Sequence, residues 1–213
     1  LQSGKCDFIS TIPKTDEQIE AGRIVLTPET FDLHRLLLSL EEMFRLRARQ
    51  NGLSLSIIRA DDVPRYFHAD HRKLRQILIN LLGNAVKFTE SGEVTLTVTR
   101  VGPHVKGSSR ECILRFEVID TGPGIAKEEQ EKIFDTFFQA DRWQSSHQGT
   151  GLGLPISRKF VTLMGGELSV TSSVGMGTCF SFDLSARCTD REKMAVSRYT
   201  SRVVALEAEQ QAY

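Results

Sequence analysis

Apolar residues return at helical spacing in three stretches and alternate with polar ones in several others. Leu33, Leu36, Leu37, Leu40, Met43 and Phe44 mark one helix, with Asp32 placed to cap its start and Asn51-Gly52 to end it. Leu74, Ile77, Leu78, Leu81 and Ala85 mark a second helix over 70–89. A third runs from about 152 to 164, because Pro155 is tolerated only in a first turn. "LSLSII" at 53–58 alternates as a strand, and so do 93–99 and 112–119. "GELSVTSS" and "GTCFSFDL" form a last strand pair around a Gly-x-Gly turn at 175–177. "RIVLTPETF" reads as a short strand followed by a turn at Pro28. A short helix follows the glycines and charges of 120–131, and a polar stretch covers 139–149. Helices and hairpins mix without regular βαβ alternation or internal repeat. That order predicts an α+β fold, a two-layer α/β sandwich with one mixed sheet and its helices on one face.

Composition narrows the picture by exclusion. The 27 basic and 27 acidic residues balance among 213, so no overall field draws the chain to nucleic acid or a membrane surface. No apolar run approaches the ~20 residues of a membrane span. Four cysteines without a C-x-x-C pair argue against zinc, and Cys112 and Cys179 fall in strand patterns as small buried hydrophobes. A reducing, cytoplasmic setting fits that usage. Residues 1–24 read as a linker or the end of a preceding helix, 25–185 as the folded domain, and 186–213 as a linker or helical tail. The start "LQSGKCDF" is unlike a natural initiation site, which suggests a piece of a longer protein.

Three stretches carry candidate chemistry. On the second helix Gln76, Asn80, Asn84 and Lys87 form a polar stripe beside the apolar one. A solvated face would explain it, yet two asparagines inside a helix are costly. A bound Mg²⁺ would also explain it, as a hard cation that takes neutral oxygens together with phosphate oxygens. Asp120 has the parity of Cys112, Leu114, Phe116 and Val118, so its carboxylate points inward where the strand breaks at "TGPG". It either caps the turn or accepts the exocyclic amine of an adenine. Ile133, Phe134 and Phe137 recur at helical spacing, and at least two of them read as core residues. "GTGLGLP" puts three glycines at a helix N-terminus, which suits a phosphate cradle and equally a hinge.

Together these stretches resemble the ATP-binding catalytic domain of sensor histidine kinases, within the wider gyrase, chaperone, histidine kinase and mismatch-repair ATPase fold. "NLLGNAVKFT" resembles the N box, "DTGPGI" the G1 box, "IFDTFFQ" the F box and "GTGLGL" the G2 box, in family order across about 25–185. The resemblance implies ATP and Mg²⁺ as ligands, with Asn84 on the metal, Lys87 on phosphate and Asn80 near the phosphates. It implies Phe88 packed by the adenine, Asp120 on the adenine amine, and Gly122, Gly124 and Ile125 shaping the pocket. Phe137 follows as the F-box aromatic, and 139–149 as the ATP lid. Gly149, Thr150, Gly151, Leu152, Gly153 and Leu154 follow as hinge and phosphate cradle.

Two departures qualify the resemblance. Gln139 stands where many such kinases have arginine, as in hybrid kinases that continue into a receiver domain. None of the five histidines, His34, His68, His71, His104 and His147, lies in the phosphoacceptor pattern. The expected partners are therefore ATP or ADP, a histidine-bearing dimerisation domain outside this chain, and a response regulator or receiver domain. The chain itself is expected to be monomeric, with no nucleic-acid or membrane contact, while the parent protein is free to be membrane-anchored. Two rival readings are an ATPase of the same fold, which would need a water-activating glutamate, and a silent interaction module.

Overall fold

The computed structural model describes residues 24–102, 111–138 and 151–189. The first helix, α1 (Leu33–Gln50), starts where Asp32 Oδ1 accepts the Arg35 N–H at 3.0 Å. It ends at Gly52, whose φ of 71° suits a residue without Cβ. Leu33, Leu36, Leu37, Leu40 and Phe44 are buried as their spacing predicts, but Met43 points outward. The second helix, α2 (His71–Phe88), buries Leu74, Ile77, Leu78, Leu81 and Ala85 and adds Leu82 and Val86. Each buried leucine contributes about 1.5–3 kcal/mol relative to an exposed one. The third helix, α3 (Gly153–Leu163), keeps Pro155 in its first turn.

Seven strands make one mixed sheet: β1 (Glu29–Asp32), β2 (Leu53–Arg59), β3 (Tyr66–Ala69), β4 (Gly92–Val101), β5 (Glu111–Asp120), β6 (Leu168–Ser173) and β7 (Gly177–Thr189). The order is β1-β3-β7-β5-β4-β2, with β6 also paired to β7. Among the described residues only the β2–β4 pair is parallel. Along β5, Cys112, Leu114, Phe116, Val118 and Asp120 are buried, while Ile113 and Ile119 stay exposed on the other face. Phe116 stacks on Phe182 of β7 with ring centres 5.0 Å apart. The opposite face carries the two-pronged Arg115–Asp183 pair, with both contacts at 2.8 Å. The α+β sandwich of the sequence reading therefore stands.

Several elements differ from expectation. The strand lies after Pro28, not before it. Residues 25–27 instead give their backbone to the start of α2, where Thr27 N–H donates to Asp70 Oδ2 at 2.9 Å and Lys73 Nζ to Val25 O at 3.0 Å. The four-residue β3 was not foreseen; it bridges β1 and the end of β7. That pairing carries β7 to Thr189, past Ala186 where the tail was expected to begin. Cys112 is buried as expected, but it is also joined in a disulfide to Cys188, with their Cα atoms 6.1 Å apart. The short helix is a single 3₁₀ turn, Lys132–Phe134. Ile133 and Phe134 pack on the core, while Phe137 is 73% exposed.

Candidate functional site

The strand β5 ends in a buried charge. Asp120 is only 9% exposed, and its Oδ1 accepts the Gly122 N–H at 2.9 Å. Burial pushes its pKa above the usual carboxylate range, against the opposing pull of backbone hydrogen bonds from Gly122 and Thr178. The turn beyond it is clasped to the β6–β7 hairpin. Gly175 N–H donates to Pro123 O at 2.7 Å, and Ile125 N–H to Ser172 Oγ at 2.8 Å. Gln130 Nε2 reaches both Ile125 O at 3.0 Å and Ser172 O at 2.9 Å. Gly124, at φ 71°, sits so close to Ser173 that a Cβ would lie 2.0 Å from the Ser173 carbonyl oxygen. Asp120 was legible from strand parity. Ser172, Gln130 and Thr178 were not, because their roles arise only when the hairpin folds back on the turn.

The polar stripe of α2 divides into two kinds of residue. Asn80 is committed: its Nδ2 donates to Gly153 O and to Ser157 Oγ, each at 3.2 Å, and its Oδ1 accepts from Gln76 at 3.0 Å. Asn84, one turn on, has no hydrogen-bond partner among the described residues. The residue is half-buried. Lys87 holds its Nζ 4.8 Å from the centre of the Phe88 ring. Partial burial lowers its pKa, and the positive charge of Arg47 on α1 lowers it further. The C-terminal ends of α1 and α2 meet where Asn51 Nδ2 donates to Val86 O at 3.1 Å. Arg47 is thus a second cation beside Lys87. No local motif marks it, because it comes from another helix.

The glycine-rich stretch leads into α3. Gly151 has φ 68° and lies against Phe137, whose Cα would be 2.9 Å from a Cβ there. Phe137 itself has φ 65°, so the backbone bends at both residues. Leu152 precedes α3 without a side-chain cap, leaving the first N–H groups of the helix to other partners. Leu152, Gly153 and Leu154 are all half-buried. Gly149, Thr150 and the expected lid at 139–149 lie outside the described residues.

One helix joins these parts. Near its middle, α2 touches Gly153 of α3 through Asn80; at its end, the Phe88 carbonyl and Thr89 face Gly122. A buried carboxylate by the end of α2 and the uncapped N–H groups of α3 by its middle are features that suit a nucleotide on a two-layer sandwich. Residues 69–187 match the family described as histidine kinase-, DNA gyrase B- and HSP90-like ATPase, and the chain belongs to that family. It is 40% identical over 168 residues to the sensory/regulatory protein RpfC of Xanthomonas campestris, covering 78% of this chain and 23% of that protein. It is 34% identical over 168 residues to hybrid signal transduction histidine kinase B of Dictyostelium discoideum, covering 78% of this chain and 8% of that one. Full-length ShkA, solved in complex with AMPPNP, superposes with a TM-score of 0.65 at 35% identity, covering 78% of this chain and 32% of that one. The chain is therefore a histidine-kinase-type ATP-binding catalytic domain, and it spans less than a quarter of the length of these two curated relatives.

Proposed function

We propose that this domain binds Mg-ATP along α2 and passes the γ-phosphoryl group to a histidine on a dimerisation domain outside the chain. The observation that carries the reading is the contrast on one helix face. Asn80 is spent on holding α3, while the half-buried Asn84 makes no side-chain hydrogen bond among the described residues and would be left for a ligand. Asp120 would accept the adenine amine, and Phe88, Gly122 and Gly124 would border the ring. Ile125 would keep the turn in place. Lys87, with Arg47 behind it, would neutralise phosphate charge. Gly151, Leu152, Gly153 and Leu154 would present N–H groups to the phosphates, with Gly149 and Thr150 continuing the cradle.

The donor set suits Mg²⁺. Among the described residues no group of three or more His, Cys, Asp or Glu could cage a metal. A single carboxamide oxygen beside phosphate oxygens is how Mg²⁺ is commonly held. When bound, the ion would neutralise charge on the transferring phosphoryl. The chain's own residues orient the triphosphate and exclude water around it. In the transfer, a histidine ring nitrogen attacks the γ-phosphorus, the bond to the bridging oxygen breaks, and ADP leaves.

A response regulator or a receiver domain of the parent would then take the phosphoryl group. The hybrid relative and Gln139, which lies outside the described residues, support the receiver. Among the described residues no helix is long and apolar enough to cross a membrane. We place the domain in the cytoplasm as a monomer; the Cys112–Cys188 bond runs against the reducing setting read from the cysteines, and in that compartment the pair would be reduced. Calorimetric titration with Mg-ATP tests the binding, with Asp120→Asn and Asn84→Ala as controls. Transfer of labelled phosphate to a supplied histidine-bearing helical domain tests the chemistry. Failure to bind ATP would sink the proposal.

A further inference from the structure

Ser157 sits on the buried face of α3 and is 0% exposed, beside the apolar Phe160 and Val161. Alanine is the better helix former for such a place. The hydroxyl is used twice. Its Oγ donates to Gly153 O at 2.9 Å, one turn back, and accepts from Asn80 Nδ2 of α2 at 3.2 Å. The other hydrogen of the Asn80 amide goes to the same Gly153 O at 3.2 Å. Gln76 Nε2 donates to Asn80 Oδ1 at 3.0 Å and so fixes which way round the carboxamide lies. Two side chains, one from each helix, therefore grip a single carbonyl.

That carbonyl aims a donor. Gly153 C=O and Leu154 N–H belong to one trans peptide plane, so holding the oxygen sets the opposite direction of the N–H. Few donors are left at this helix start. Pro155 has no N–H, and the Ile156 N–H is already given to Leu152 O at 3.1 Å. Gly153 and Leu154 carry the N–H groups of the first turn that have no partner inside the helix. The grip also falls at Asn80, one helical turn before Asn84.

We propose that Ser157 is a positioning residue for the phosphates: with Asn80 it clamps the Gly153–Leu154 peptide, so that the Leu154 N–H points at the phosphate chain and α3 keeps its register against Asn84. This rests on the nucleotide reading above. The hydroxyl touches no ligand itself. It acts through one peptide plane, and its loss frees that plane to turn without unfolding either helix. The cost falls on the phosphate end of the nucleotide and leaves the Asp120 end alone.

The test uses the 213-residue chain with Ser157→Ala, Ser157→Thr and Asn80→Ala, each titrated with ATP and with AMP. AMP keeps the base, the sugar and one phosphate, so it reports the base end. Ser157→Ala should weaken ATP by about tenfold and leave AMP unchanged, while Ser157→Thr, which keeps the hydroxyl, should hold the wild-type ratio. Combining Ser157→Ala with Asn80→Ala should weaken ATP little more than the worse single variant, because both remove one clamp. Equal weakening of ATP and AMP would assign the hydroxyl to the fold alone and overturn the proposal. Unchanged ATP binding, or a folded threonine variant that loses the ratio as alanine does, would overturn it too. If the wild type binds no ATP, the nucleotide reading itself falls; that outcome is distinct from a wild type that binds and an alanine variant that matches it. Thermal melting shows which variants are folded. Should Ser157→Ala fail to fold, Asn80→Ala reads the same ATP-to-AMP ratio from the α2 side and decides the matter.

Discussion

The Gly122 N–H points back at Asp120 and donates to its Oδ1 at 2.9 Å, so the turn that ends β5 holds the last side chain of the strand. A turn cap and a base acceptor had looked like rival roles for this aspartate. The geometry shows the cap, and the cap would serve the proposed acceptor role. The cap fixes the carboxylate's orientation in a place where burial disfavours its charge.

That charge costs folding stability, and the cost can be read. The pKa of Asp120 is raised in the folded state by burial. Its favourable contribution is complete below the unfolded carboxylate value and is lost as pH rises through the folded one. Asp120→Asn should therefore melt higher than the wild type at pH 7, on the order of a few degrees, and the gap should close in acid. The same variant should lose ATP affinity by at least about tenfold, the scale of a charge-assisted hydrogen bond. Differential scanning calorimetry across pH, paired with ATP titration, checks both halves. An unligated variant that melts lower than the wild type at pH 7 would contradict the argument.

The turn after Asp120 tolerates no side chain at Gly124. Its φ is 71°, and a Cβ would lie 2.0 Å from the Ser173 carbonyl oxygen. Gly124→Ala should destabilise the fold by about 1–3 kcal/mol and abolish ATP binding, because the turn must leave the β6–β7 hairpin. Gly83→Ala provides the contrast. Nothing lies within 4 Å of its would-be Cβ and its φ is ordinary for a helix, so the variant should fold and melt at or above the wild-type temperature. Circular dichroism melts of the two variants would show the difference.

How far the fold could be read depended on whether a residue's partner was near in sequence. The helices were legible because each buries one face, and β5 because both its faces alternate over ten residues. That alternation also located Asp120. By contrast β3 is four residues long, too short for a period to show, and its pairing with β7 is set by distant chain. Phe137 has the spacing of a core aromatic, yet its backbone at φ 65° carries the ring outward. Asn80 and Asn84 look alike on the helix. Only the docking of α3 makes one a clasp and leaves the other without a side-chain hydrogen bond among the described residues.

Cys112 and Cys188 close a loop across 76 positions, from β5 to the far end of β7. A cross-link of that span stabilises a chain by about 4 kcal/mol in the loop-entropy account. Reductant should lower the melting temperature of the wild type by several degrees and leave a Cys112→Ala, Cys188→Ala double variant unmoved. Thiol titration of the unfolded chain gives the bond count independently. A wild type whose melting ignores reductant would show that the bond adds nothing to stability.

The two asparagines should separate cleanly by experiment. Asn80 ties Gly153 O and Ser157 Oγ of α3 to α2, so Asn80→Ala removes both of those hydrogen bonds and the one from Gln76, while Gly153 O keeps the Ser157 hydroxyl. It should cost about 1–2 kcal/mol and lower melting by a few degrees with no nucleotide present. Asn84 makes no such bond, and alanine is the better helix former. Asn84→Ala should leave the melting temperature of the unligated domain equal or slightly higher. Its deficit should appear only with ligand, as ATP binding that no longer responds to added Mg²⁺. Melting curves without nucleotide, and ATP titrations with Mg²⁺ or with chelator, give the four readings. Loss of stability in both variants would make the stripe purely structural. Loss of Mg²⁺ dependence in Asn80→Ala, with Asn84→Ala unaffected, would move the metal ligand one turn back along the helix.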